Sequence, residues 1–209
     1  MIRTRYLTRR ATAVAATGAA AIILAACVGS GDSSTGHDGH SGGSSPASTS
    51  TSSSQKRHNA ADVAFAQGMI PHHRQAVEMA DLAPGRVQSA EVKKLAADIK
   101  KAQDPEIRTL SGWLSAWGEQ VPAAGTDHSM HGNSGMMPPE DMRKLKKASG
   151  AAFDTAFMQM MIGHHEGAVS MARTEQADGS YAPAKKMAGR IVSSQTTEIQ
   201  QMNELLDNR

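Results

Sequence analysis

Apolar residues recur every three or four positions along most of the chain beyond residue 58, and no stretch alternates strictly between apolar and polar. That spacing turns one stripe of a helix inward and argues for an all-α domain. Ala, Met, Leu, Lys, Gln and Glu, all good helix formers, dominate these stretches, and β-branched and aromatic residues are few. Turn residues divide the pattern. A first long helix is predicted from about Asn59 to Leu82, with Asn59 as cap, Asp62 completing a capping box and Pro84-Gly85 as the stop. A second runs from about Gln88 to Trp117, followed by a loop over 118–138. A short helix over 139–148 ends at Ser149-Gly150. A third long helix covers about 151–177, and the turn Asp178 to Pro183 leads into a fourth over about 184–206.

The pattern repeats. Asp62 to Ala80 reads DVAFAQGMIPHHRQAVEMA, and Asp154 to Ala172 reads DTAFMQMMIGHHEGAVSMA. The offset (154 − 62 = 92) also aligns Lys93-Lys94-Leu95-Ala96 with Lys185-Lys186-Met187-Ala188. It further aligns Ile99, Gln103, Glu106 and Ile107 with Ile191, Gln195, Glu198 and Ile199. The repeating unit is therefore a helical hairpin, spanning 59–117 and again 139–207. One hairpin cannot cover its own apolar face. Two of them predict a four-helix bundle over 58–209 with one longer crossover.

The N-terminus obeys other rules. Arg3, Arg5, Arg9 and Arg10 precede an apolar run, Ala11 to Ala26, that ends in Leu24-Ala25-Ala26-Cys27. This reads as a signal peptide over 1–26 with a lipobox, and Cys27 is the expected lipidation site. Thr8-Arg9-Arg10 resembles a twin-arginine signal but lacks the apolar residues that follow one, so the export route stays open. Residues 27–57 are rich in Gly, Ser and Thr and read as a disordered tether, with His37 and His40 as a weak metal pair at most. The full chain carries a formal charge of +2, and removal of the four leader arginines would leave −2. A basic stripe for nucleic acid is therefore not expected. Cys27 is the only cysteine, so lipidation would leave no thiol for a disulfide, a metal or a nucleophile. Neither a Gly-x-Ser-x-Gly elbow nor a phosphate-binding glycine loop is present.

The candidate chemistry lies in the repeat. At helical spacing Phe65, Met69, His72, Ala76 and Met79 share one stripe, and Ala66, Ile70, His73, Val77 and Ala80 the next. Met161, His164, His165 and Met171 occupy the matching positions of the second copy. Histidines on an apolar face must find hydrogen bonds or a metal. A single His there is more often a satisfied core residue, and Met is more often filler. Two doublets at a fixed offset, each with a Met three residues ahead, tip the reading toward a metal. Imidazole with thioether suits copper, and thioether favours Cu(I) over iron or zinc. Gln103, Glu106, Gln195 and Glu198 are expected to orient imidazole N–H groups, because two glutamates are too few for a carboxylate-bridged di-iron centre. The loop adds His128, Met130, His131, Met136 and Met137 as a possible second, more accessible site. Pro71, one residue before the first doublet, removes a helical hydrogen bond and predicts a kink, with Gly163 in its place in the second copy. Sequence spacing leaves open which ring of each doublet faces inward.

Several motifs together resemble the family named domain of unknown function 305. They are Phe65 to His73 with Ala76 to Ala80, Gln103 to Ile107, Trp113 to Gly118, Ser149 to Asp154, Met160 to His165 and Gln195 to Ile199. The resemblance covers roughly residues 58–207. It implies an exported, ferritin-like four-helix bundle, and for CopM-type members copper binding through Met and His in copper resistance or homeostasis. By similarity that role falls on Met69, His72, His73, Met79, Met161, His164, His165 and Met171. The expected function is thus an extracytoplasmic lipoprotein, anchored to the membrane, that buffers copper or exchanges it with a donor or acceptor protein. A redox metalloenzyme and a metal-free interaction module are the alternatives.

Overall fold

A computed structural model describes residues 57–124 and 135–208. They form five helices and no strand: α1 (Ala60–Asp81), α2 (Ala90–Trp117), α3 (Pro139–Lys147), α4 (Gly150–Asp178) and α5 (Ala182–Asp207). Cys27, His37, His40, His128, Met130 and His131 lie outside the described residues, as do the leader and tether. Among the described residues no helix is long and apolar enough to cross a membrane.

Local chemistry sets the helix ends. The Asn59 side chain accepts from the Ala61 and Asp62 N–H groups, and Asp62 accepts from the Asn59 N–H, closing the expected capping box. Gly118, at φ +75°, ends α2 in the left-handed conformation, where its lack of a Cβ avoids strain. Helix α5 starts at Ala182, two residues earlier than the sequence suggested. Pro183 falls in its first turn, where the missing N–H has no helical partner to lose. Helix α1 continues through Pro71.

Helix α1 packs mainly on α2, and α4 on α5; the two hairpins meet through α1 and α4. Two apolar clusters form the core. One joins the end of α1 (Met79, Ala80) to the start of α2 (Val92, Leu95), to Met142 and Leu145 of α3, and to the start of α4 (Phe153, Phe157, Met161). The other joins the start of α1 (Phe65, Met69) to the end of α2 (Leu110, Leu114), the end of α4 (Ala168, Ala172) and the start of α5 (Met187, Ile191). The start of one central helix therefore packs with the end of the other, so α1 and α4 run antiparallel. The histidine doublets fall near the middle of both, between the clusters.

Two buried aspartates stitch the hairpins together in a reciprocal way. Asp154, on α4, accepts from the Gln88 and Ser89 N–H groups ahead of α2, at 3.0 and 2.9 Å. Asp62, on α1, accepts from the Ser180 and Tyr181 N–H groups ahead of α5, at 3.2 and 2.9 Å. Each hairpin thus holds the turn of the other. A charged acceptor on backbone donors is stronger than a neutral one. Asp154→Asn keeps one carbonyl oxygen but turns an amide N–H toward a donor. It is expected to lower unfolding free energy by about 1–2 kcal/mol, measured by urea denaturation.

The symmetry breaks at Glu175. It is buried, and the matching residue of the first copy is Ala83. Burial, and then the neighbouring Asp62 carboxylate, push its pKa up to about 8, while Lys185 pulls weakly the other way. Burial alone would raise Asp62 as well. The Asn59, Tyr181 and Ser180 N–H groups, together with Glu175, outweigh that and hold it below its ordinary value. Glu175 therefore keeps its proton at neutral pH, beside the Asp62 carboxylate. Between the ordinary carboxyl range and pH 8 the native state binds that proton and the unfolded state does not. Stability from this group is full at low pH and is lost as pH rises through that window. Glu175→Gln keeps a donor toward Asp62 without the titration. Its melting temperature relative to the parent should rise steadily between pH 5 and pH 9, and a constant difference would contradict the assignment.

Candidate metal centre

Adjacent helical residues point about 100° apart. The two rings of each doublet accordingly take different directions. His72 and His164 meet across the α1/α4 contact, with ring centroids 3.7 Å apart and planes tilted by 40°. His73 and His165 turn the other way. The His73 Nε2 lies 2.9 Å from a Glu106 carboxylate oxygen on α2, and the His165 Nε2 lies 2.6 Å from Glu198 on α5. All four histidines are buried, none more than 2 % exposed.

Hydrogen bonding separates the inner rings from the outer ones. Each outer ring has a carboxylate on Nε2, and its Nδ1 has no hydrogen-bond partner among the described residues. Neither nitrogen of His164 makes a hydrogen bond of good geometry among the described residues, although the nearby His72 backbone pulls its pKa weakly upward. Burial, reinforced by the charges of His72, His165 and His73, pushes the His164 pKa well below the ordinary histidine range. That ring is therefore neutral at physiological pH, with a lone pair available to an electrophile. Gln103 and Gln195, one turn before Glu106 and Glu198, are also buried, and their Oε1 atoms find no donor among the described residues. A dry interior holding this many unanswered polar atoms is costly unless something binds them.

The thioethers fall into two groups. Met69 and Met161 are fully buried, each one turn before an inner histidine. Because α1 and α4 are antiparallel, Met69 belongs to the cluster on one side of the imidazole pair and Met161 to the cluster on the other. Met79 and Met171 stand farther off, seven residues beyond His72 and His164, or about 10 Å of helical rise. Met79 is buried in the first cluster. Met171 is half-buried, and its Sδ lies 3.5 Å from where a Cβ on Gly68 would stand. Met136 and Met137, half-buried, precede α3 and pass beside α1 and α4.

Among the described residues no three His, Asp or Glu side chains converge as a metal site. The soft donors that could join His72 and His164 are the methionine thioethers of the same helices. The donor types present, neutral imidazole and thioether, fit a soft monovalent ion in kind. The spacing is that of a closed pair. With a metal–nitrogen bond of about 2 Å, an ion sits about 3 Å from each ring centre. Centroids 3.7 Å apart leave no room for it between the faces, so the rings must turn edge-on to accept one.

Sequence reasoning did not pick out Gln75, Gly135 or Gly167. Gln75 binds the Met137 backbone on both sides, accepting from its N–H at 2.7 Å and donating to its carbonyl at 2.9 Å. Gly135 rests on Gly163 and Gly167 of α4. One signal was available. Pro71 against Gly163 and Gln75 against Gly167 are departures between otherwise matching segments, and Gln75, Gly163 and Gly167 meet residues 135–137.

Known proteins share this architecture. A Streptomyces coelicolor protein described as secreted and as DUF305 is 33 % identical, with a TM-score of 0.65, over 71 % of this chain and 93 % of that one. CopM in its Cu(II)-bound form is 34 % identical, with a TM-score of 0.62, over 70 % of this chain and 96 % of that one. CopM in its Cu(I)-bound form is 32 % identical, with a TM-score of 0.59 over the same shares. No curated protein matches the chain. The family described as "Domain of unknown function (DUF305)" matches residues 62–206, most of the helical region, and the chain belongs to it.

Proposed function

We propose that this protein is an extracytoplasmic copper-binding lipoprotein. Its helices form a ferritin-like four-helix bundle that holds Cu(I) for buffering or delivery, at His72 and His164 with Met69 and Met161. The observation that carries this reading is the inner imidazole pair: buried, 3.7 Å apart, and with both nitrogens of His164 unanswered. A merely structural histidine would have a donor or an acceptor beside it. The outer pairs support the reading too. Glu106 and Glu198 fix the tautomer and direction of His73 and His165, as carboxylates do around metal-bound rings. Structural neighbours solved with copper and with silver give independent support. The leader, Cys27 and the tether would place the domain outside the cytoplasm on a lipid anchor, where a copper donor or acceptor protein could reach it. Met79, Met171 and the Met/His loop (His128, Met130, His131, Met136, Met137) would serve as secondary soft sites along the approach.

Anaerobic competition against a chromogenic Cu(I) chelator tests the assignment. The mature protein should withdraw Cu(I) from the chelator, and His72→Ala with His164→Ala should weaken binding at least about 100-fold, roughly the loss of two imidazole bonds. Unchanged affinity in the double variant would refute the inner pair as the site.

A further inference from the structure

The imidazole pair has no opening. His72 and His164 are at most 2 % exposed, and α2 and α5 close one side of the α1/α4 layer, since Glu106 and Glu198 reach the outer histidines from those helices. Across the other side, from α1 to α4, runs a short strap, Gly135-Met136-Met137. Its Met137 end is held on α1 by the two hydrogen bonds to Gln75. Its Gly135 end lies on α4. There Gly135 has φ +78°, and a Cβ on it would collide with the Gly163 carbonyl oxygen and stand 3.1 and 3.2 Å from the Gly167 Cα and N. Gln75 is three residues after His72, and Gly167 three residues after His164, so each attachment point shares a helical face with an inner histidine. In antiparallel helices the line from position 75 to position 167 passes diagonally over the pair.

We propose that the Gly135–Met137 strap is the door to the imidazole pair, opened and closed as a soft metal ion enters or leaves. This inference rests on the proposed metal function but adds the route. The energetics select the strap. Moving α2 or α5 aside would break an apolar cluster and separate a buried histidine from its glutamate partner. Lifting the strap breaks two neutral hydrogen bonds, one glycine contact and the packing of the single half-buried Met137 side chain on the first cluster. Met136 lies between the two attachment points in sequence. It is the glycine at 135 that lets the strap lie flat on the α4 backbone at Gly163 and Gly167.

Two variants open the door by different means. Gln75→Leu removes both hydrogen bonds. Gly135→Ala forces a Cβ into the Gly163 carbonyl and strains a positive φ. Two readouts are taken on the mature chain, after checking that each variant melts cooperatively. The first is the stopped-flow rate of Ag(I) loading and of release to a chelator. The second needs no metal: the rate at which diethyl pyrocarbonate modifies His72 and His164, followed by peptide mass. Loss of two hydrogen bonds should raise all of these rates on the order of tenfold or more, with equilibrium Ag(I) affinity changing far less. Faster labelling without Ag(I) binding in the parent would uphold the door and overturn the metal function. Rates unchanged in both variants, for ion and reagent alike, would overturn the door whether or not metal binds.

Discussion

His164→Leu is expected to make the metal-free protein more stable and a poorer ligand at once. Both ring nitrogens of His164 are buried without a hydrogen-bond partner, and each such atom costs about 1–3 kcal/mol of native stability. Leucine occupies a similar volume, has no polar atom to leave unanswered, and adds apolar surface to a dry site. The gain should be about 2–4 kcal/mol, a rise in melting temperature of roughly 4–16 °C for a domain of this size. The same exchange at the outer ring should go the other way. His73→Leu leaves the Glu106 carboxylate without its imidazole partner in a largely buried setting, and the protein should lose stability. Opposite signs at an inner and an outer histidine, both fully buried, are hard to produce by packing alone. Equal destabilisation at both positions, measured by calorimetry on metal-free samples, would mean that His164 is an ordinary core residue.

The second large effect is stabilisation by the ion itself. A ligand that binds only the native state raises unfolding free energy with the logarithm of its concentration over Kd, by about 4 kcal/mol at a thousandfold excess. Cu(I) or Ag(I) should therefore raise the melting temperature of the metal-free parent by roughly 8–16 °C. His72→Ala with His164→Ala should remove nearly all of that shift, and Met69→Leu with Met161→Leu a substantial part of it. Zn(II), which prefers nitrogen, oxygen and thiolate donors to thioether, should shift the parent far less. A shift that survives loss of both inner histidines would move the site to other residues, with Met79 and Met171 the first to test.

Much of this was legible in the chain before any coordinates. Helical periodicity, the Asn59/Asp62 capping box and the 92-residue offset lead directly to helical hairpins, because local propensity and apolar pattern agree throughout. The doublets could be placed on an inner face from spacing alone. What spacing could not supply was the division of labour within a doublet. His72 and His73 are both inward on a helical wheel, and only the positions of α2 and α4 decide that His73 meets Glu106 while His72 meets His164. The reciprocal clamps were half legible. Asp62 reads as part of a cap, but its grip on Ser180 and Tyr181 joins residues more than a hundred positions apart. Gln75 and Gly135 were out of reach for the same reason: a side chain binding a loop backbone leaves no periodic trace. Glu175 left no periodic trace either: it is buried, with Gly179 of the α4–α5 turn against its side chain.

X-ray absorption at the copper edge, on the mature protein loaded anaerobically with one equivalent of Cu(I), tests the central assignment most directly. The account predicts a first shell containing both imidazole nitrogen and thioether sulfur, with the nitrogen contribution lost in the His72→Ala, His164→Ala variant. A shell without imidazole, or one that the double substitution leaves intact, would contradict it.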